Sequence, residues 1–209
     1  MRAKQFRAVA LAAGLVGWTG LIGPRIPARG QPLVHAALAA ALAVSARAPL
    51  GLRPPQLWSG LRLGLAAAAP VIIGVAASTA ASPVRSAMAE RELPVSPSRW
   101  LAVRIPVGTV WSEEAAFRAA LGTVAAEAFG PTGGRLLQSL AFGLSHIADA
   151  RGTDEPVIPT VLVTGVAGWI FALLLERSAS LAAPMLAHLA INEAGAIAAI
   201  GVQRATPKG

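Results

Sequence analysis

The sequence predicts an all-α fold, a polytopic membrane helical bundle of about seven transmembrane helices, forming a single membrane-embedded domain over residues 1–209. Three observations predict it. Hydrophobic residues make up 55% of the chain and charged residues 13%, whereas soluble domains carry roughly a quarter charged residues. Several apolar runs approach or reach the roughly 17–25 residues that cross a bilayer. In a chain of 209 residues, such runs leave no length for a sizeable soluble domain.

Taken in order, Met1 to Arg7 is short and basic, and the apolar stretch Ala8 to Gly23 follows it. A charged segment ahead of a short apolar one also fits a signal peptide. Gly-Pro-Arg-Ile-Pro-Ala-Arg follows instead of a small-residue cleavage site, so the stretch reads as a first membrane helix. Pro24 to Pro32 is a turn-rich loop. Leu33 to Leu50 is the second apolar run, and it contains His35, a histidine with no partner at helical spacing. Arg53-Pro54-Pro55 breaks the chain. Leu57 to Ala81 is the third run, with Pro70 expected to kink it. Ser82 to Arg99 is the longest polar stretch and reads as a loop or an interfacial helix. Trp100 to Gly122 is semi-apolar, Phe129 to Gly134 a loop, and Arg135 to Ala150 an apolar helix. Val157 to Leu175 is a clean span, and Leu181 to Val202 is the last one.

The formal net charge is +8. The arginines mostly flank apolar runs, which points to anionic lipid head groups as their partners rather than to nucleic acid. Basic residues divide equally between the two sides of the predicted topology, so only the basic N-terminus ahead of the first helix favours an inside N-terminus. The absence of cysteine excludes disulfides, thiolate nucleophiles and Cys-ligated metals.

A bilayer resists ionisable groups at depth, so those within the predicted spans are candidates for function. They are Glu113, Glu114, Arg118, His146, His188 and Glu193, joined by Asn192. Glu114 and Arg118 are four apart and share a helix face, as do His188 and Asn192, and Phe142 and His146. Glu113 points about 100° away from Glu114, so one carboxylate is free while Arg118 holds the other. Each element alone also has a structural reading: an ion pair, an anchoring arginine, histidines bonding a neighbouring helix. Together the parts suffice for hydrolysis, with a carboxylate and an imidazole activating water and a second imidazole and an amide steadying an oxyanion. Two histidines and a glutamate also make a zinc set, although no H-E-x-x-H is present.

Glu113-Glu114-x-x-x-Arg118, Phe142-x-x-x-His146 and His188-x-x-x-Asn192 resemble the three-motif pattern of the CPBP family, the CAAX-processing and bacteriocin-processing (Abi) intramembrane proteases. The resemblance covers roughly residues 111–192. It implies an endopeptidase acting on a membrane-associated peptide or protein in a multi-pass cell-membrane setting, the bacterial cytoplasmic membrane. Glu113 matches the catalytic glutamate, which activates water with His146. His188 and Asn192 match oxyanion-stabilising positions, and Glu114, Arg118 and Phe142 match supporting ones. Asn192 suits an oxyanion donor better than a zinc ligand, which favours a metal-free site. Zinc held by Glu113, His146 and His188 is the other version. Two non-enzymatic readings stand beside it, a transporter with a Glu/His proton relay and a scaffold or immunity-type protein. The transporter reading predicts an inverted repeat, and none is visible.

Overall fold

The computed structural model describes residues 2–205. Among them every regular element is helical. Helix α1 is Arg2–Gly17, prolonged by a π-helical turn at Trp18–Ile22 and a 3₁₀ turn at Gly23–Arg25. Helix α2 is Gln31–Ser45, and it begins at Gln31-Pro32, where a missing N–H costs nothing. Helices α3, Gln56–Ser78, and α4, Ser82–Glu90, follow. Helix α5 then runs without a break over residues 97–129, much of it π-helical at Trp100–Trp111 and Glu114–Leu121. The first π stretch contains Pro106, which brings no N–H, and Ser112 Oγ donates to the Val107 carbonyl at 2.8 Å. Helix α6 covers residues 131–145, α7 is Ile147–Gly152, α8 is Val157–Ser178 and α9 is Ala182–Ala205.

Among the described residues four helices are long and apolar enough to cross a membrane: Arg2–Arg25, Gln56–Ser78, Val157–Ser178 and Ala182–Ala205. That is fewer than the seven the sequence suggests. The expected second span stops at Ser45 after 15 residues, short of the roughly 20 a bilayer needs. The expected fourth and fifth are the two arms of one hairpin, α5 carrying charges along its length and α6 ending early at Ser145. The lipid-facing character is plain on α8, where Ile158, Leu162, Val166 and Ile170 recur every fourth residue and are all exposed.

The loop expected at Phe129 to Gly134 is reduced to a single residue. Gly130 has φ 74° and ψ 172°, a region open essentially to glycine alone, and Pro131 starts the next helix. The chain folds straight back on itself. Gly134 lies so close to Ala126 that a Cβ there would stand 2.5 Å from the Ala126 nitrogen. Further along, Phe117 of α5 meets Phe142 of α6 edge to face at 5.3 Å.

The hairpin is the centre of the molecule. Its core is mostly alanine, with Ala115, Ala116, Ala119, Ala120 and Ala125 packed among Ala8 and Ala12 of α1 and Ala39 and Ala43 of α2. Small residues let helices approach closely where lipid offers no hydrophobic drive for association. A second pairing joins α3 to α9. Gly60, Gly64 and Ala68 form a buried stripe at four-residue spacing. Gly60 faces Ser180 and Ala182, and Gly64 faces Ala183 and Leu186, so the two helices run parallel. The stripe ends at the bulky Ile72, and beyond it a cavity of about 660 Å³ opens between α3 and α9.

Candidate active site

Three helices deliver the charged groups. Glu114 and Arg118 lie on the widened π-helical part of α5, a form that tends to occur at functional sites, and Glu113 is the residue just before it. His188 and Asn192 lie one turn apart on α9. Phe142 comes from α6, and His146 sits just past its end. The sequence places His146 inside a helix reaching Ala150. In the structure α6 stops at Ser145, and His146 occupies the break with φ −89° and ψ 1°.

Glu114 is the hub. Its side chain is fully buried and engaged on two sides: Oε2 forms an ion pair with Arg118, 3.2 Å from Nε, and Oε1 accepts a hydrogen bond from His188 Nδ1 at 2.7 Å. Arg118 thus pairs with Glu114, which also grips a histidine. That bond puts the proton of His188 on Nδ1 and turns Nε2 toward Glu113. His188 Nε2 and Glu113 Oε2 are 3.8 Å apart, beyond the length of a direct hydrogen bond.

Aromatic rings enclose this cluster. The Arg118 guanidinium stands 3.8 Å from the Phe142 ring centre and 5.0 Å from that of Phe171. Phe171 also stacks on His188 at 5.1 Å. Arg118 Nε, Nη1 and Nη2 meet no hydrogen-bond acceptor among the described residues, so besides the ion pair with Glu114 the ring faces carry much of its stabilisation, worth about 2 kcal/mol each where desolvated. Phe171 lies on α8, and sequence reading missed it. Nothing in its neighbourhood along the chain marks it.

His146 reaches the cluster through Phe142 rather than by direct contact. Its Nδ1 donates to the Phe142 carbonyl at 2.8 Å, and its ring meets Phe142 edge to face at 4.7 Å. Asn192 Nδ2 donates to the His188 carbonyl at 3.1 Å, which uses one of its two N–H groups. Among the described residues no three His, Asp or Glu side chains are grouped to hold a metal ion.

Glu113 is the exposed member, with 24% of its side chain accessible. It lines a cavity of about 190 Å³ together with Ser112 and Phe117 of α5, Thr19 beyond α1, His35 of α2 and Asp149 of α7. That volume admits several waters or a few atoms of a peptide. His35, read from the sequence as a lone histidine, thus shares a cavity with Glu113. Only the tertiary fold brings the two together.

Comparison with known proteins agrees with the motifs. Residues 95–194, just under half of the chain, match the family described as Rce1-like, type II CAAX prenyl endopeptidase Rce1-like. No curated protein and no solved structure matches. The matched segment takes in α5 through the site-bearing turns of α9 and leaves α1 to α4 outside it. Four span-length helices make the chain a multi-pass membrane protein. The segment that holds all three motifs is thus similar to the Rce1-like type II CAAX prenyl endopeptidases, in keeping with the resemblance of those motifs to the CPBP family.

Proposed function

We propose that this protein is an intramembrane endopeptidase that hydrolyses a peptide bond of a membrane-associated protein or peptide with a water activated at Glu113. The observation that carries the reading is the arrangement of two carboxylates about one imidazole. Glu114 fixes His188 from one side, and Glu113 faces its other nitrogen from the wall of a cavity.

Charge balance supports the division of work. Two carboxylates, one guanidinium and one imidazole are neutral together when a single proton is shared between Glu113 and His188, and neutrality is what a low-dielectric site favours. With that proton on His188, Glu113 is a free carboxylate. It takes a proton from water as the water oxygen attacks the scissile carbonyl. The developing oxyanion receives hydrogen bonds from His188 Nε2–H and from the unused N–H of Asn192. Collapse of the tetrahedral intermediate breaks the C–N bond, and Glu113 returns its proton to the leaving amine. His146, with Nδ1 committed to the Phe142 carbonyl, has Nε2 left to orient the water. Glu114, Arg118 and Phe142 hold His188. Every step uses side chains of this chain, and zinc enters none of them.

The test is cleavage of a fluorogenic peptide library by the full-length protein in detergent. Glu113→Gln lowers kcat by about 10²–10⁴-fold, the usual worth of a positioned general base, while melting as the wild type does. Cleavage that survives in Glu113→Gln removes the assignment. Adding a chelator to the same assay checks the metal-free reading, and loss of activity that zinc restores would replace it.

A further inference from the structure

His35 belongs to no motif and lies outside the segment that matches the protease family. Yet its ring lines the same cavity as Glu113. Its Nε2 is buried and has no hydrogen-bond partner among the described residues. A structural histidine in an apolar bundle bonds a neighbouring helix, and a buried polar atom without a partner is a net cost to the fold. The ring is nevertheless held in place, edge-on to Trp18 with centroids 5.8 Å apart, and close against Gly23, where a Cβ would stand 3.1 Å from Nε2. Around it, Gln31 is already committed, donating from Nε2 to the Gly23 carbonyl at 3.0 Å. Thr19 Oγ1 is bonded to its own helix. His35 is the polar group on that wall whose bonding capacity is unspent.

We propose that His35 is a substrate-binding residue, which hydrogen-bonds the main chain of the bound peptide from the α2 side of the cavity that Glu113 also lines. The inference rests on the hydrolytic reading above and adds to it a contact from α2. An imidazole suits the task because it donates from one nitrogen and accepts at the other, so it can meet either an N–H or a carbonyl of a peptide. The orphan in the resting protein becomes a partner once the cavity is filled.

The experiment compares wild type, His35→Phe, His35→Gln and Glu113→Gln, using the library peptide that wild type cleaves fastest. Phenylalanine keeps the ring against Trp18 and removes both nitrogens. Glutamine keeps a donor and an acceptor. The expected result for His35→Phe is a KM raised about tenfold, the worth of one lost hydrogen bond, with kcat essentially unchanged and a melting temperature equal to or above that of wild type. His35→Gln recovers most of the KM. An unchanged KM in His35→Phe, or a parallel fall of stability and activity in both His35 variants, overturns the inference. If cleavage needs Glu113 and ignores His35, this contact alone fails. If Glu113→Gln cleaves normally, or wild type cleaves nothing, the hydrolytic reading fails and takes this inference with it.

Discussion

At the scale of single residues, Arg118 is the most committed side chain in the molecule. It is 2% exposed, sits beside a fully buried carboxylate and is capped by two phenylalanine rings. Removing one member of a buried ion pair leaves the other uncompensated, at a cost of about 3–5 kcal/mol. Arg118→Met is therefore expected to lower the melting temperature in detergent sharply, whereas Arg118→Met combined with Glu114→Met recovers much of the loss. The double variant remains inactive, because His188 has lost the acceptor that fixes its proton. A stable single variant in a thermal melt would show that Arg118 is not held as described. The exposed pair of Arg135 with Glu176, though bidentate at 3.0 and 2.5 Å, provides the contrast. Its side chains are 16% and 42% accessible, so Arg135→Ala is expected to cost about 1 kcal/mol or less.

At the scale of elements, two junctions decide the architecture. Gly130 reverses the chain in a backbone region closed to other residues, and Gly130→Ala is expected to cost about 1–3 kcal/mol, read as a drop in the melting temperature. The α3–α9 contact is tighter still: a Cβ on Gly64 would stand 2.9 Å from the Ala183 carbonyl oxygen. Gly64→Leu therefore forces the helices apart, with a cost of about 1–3 kcal/mol. It also shifts the start of α9, and so lowers activity through His188 without touching it. These junctions also show what was legible in the sequence. The motif pairs Glu114–Arg118 and His188–Asn192 were visible because helical spacing alone puts them on one face. The break near Gly130 was visible as glycine and proline, but its reduction to one residue was not. The partnership of Glu114 with His188 spans 74 positions, Phe171 arrives from a different helix, and His35 from a third. No local periodicity encodes such meetings, because helix packing rather than helix formation brings them about.

At the scale of the whole molecule, the segment that matches the protease family does not stand alone. Its site helix α9 has its small-residue face covered by α3, and the cavity holding Glu113 is walled by residues of α1 and α2. A fragment of residues 95–209 is thus expected to be inactive and to aggregate in detergent. Co-expression with residues 1–94 as a separate chain is expected to restore a monodisperse, active species on size-exclusion chromatography. Full activity in the isolated fragment would contradict this packing. The hairpin of α5 and α6 carries a final consequence, for variation in length. Phe117 and Phe142 stand at nearly equal distances along the chain from Gly130, and their meeting seats Phe142 over Arg118. One residue inserted between Gly130 and Phe142 would rotate that ring by about 100° and empty the seat. The number of residues separating the Glu-Glu pair from His146 is in effect a fixed ruler. Insertions and deletions that leave the protein working will be confined to the connections before Pro97 and after Gly152.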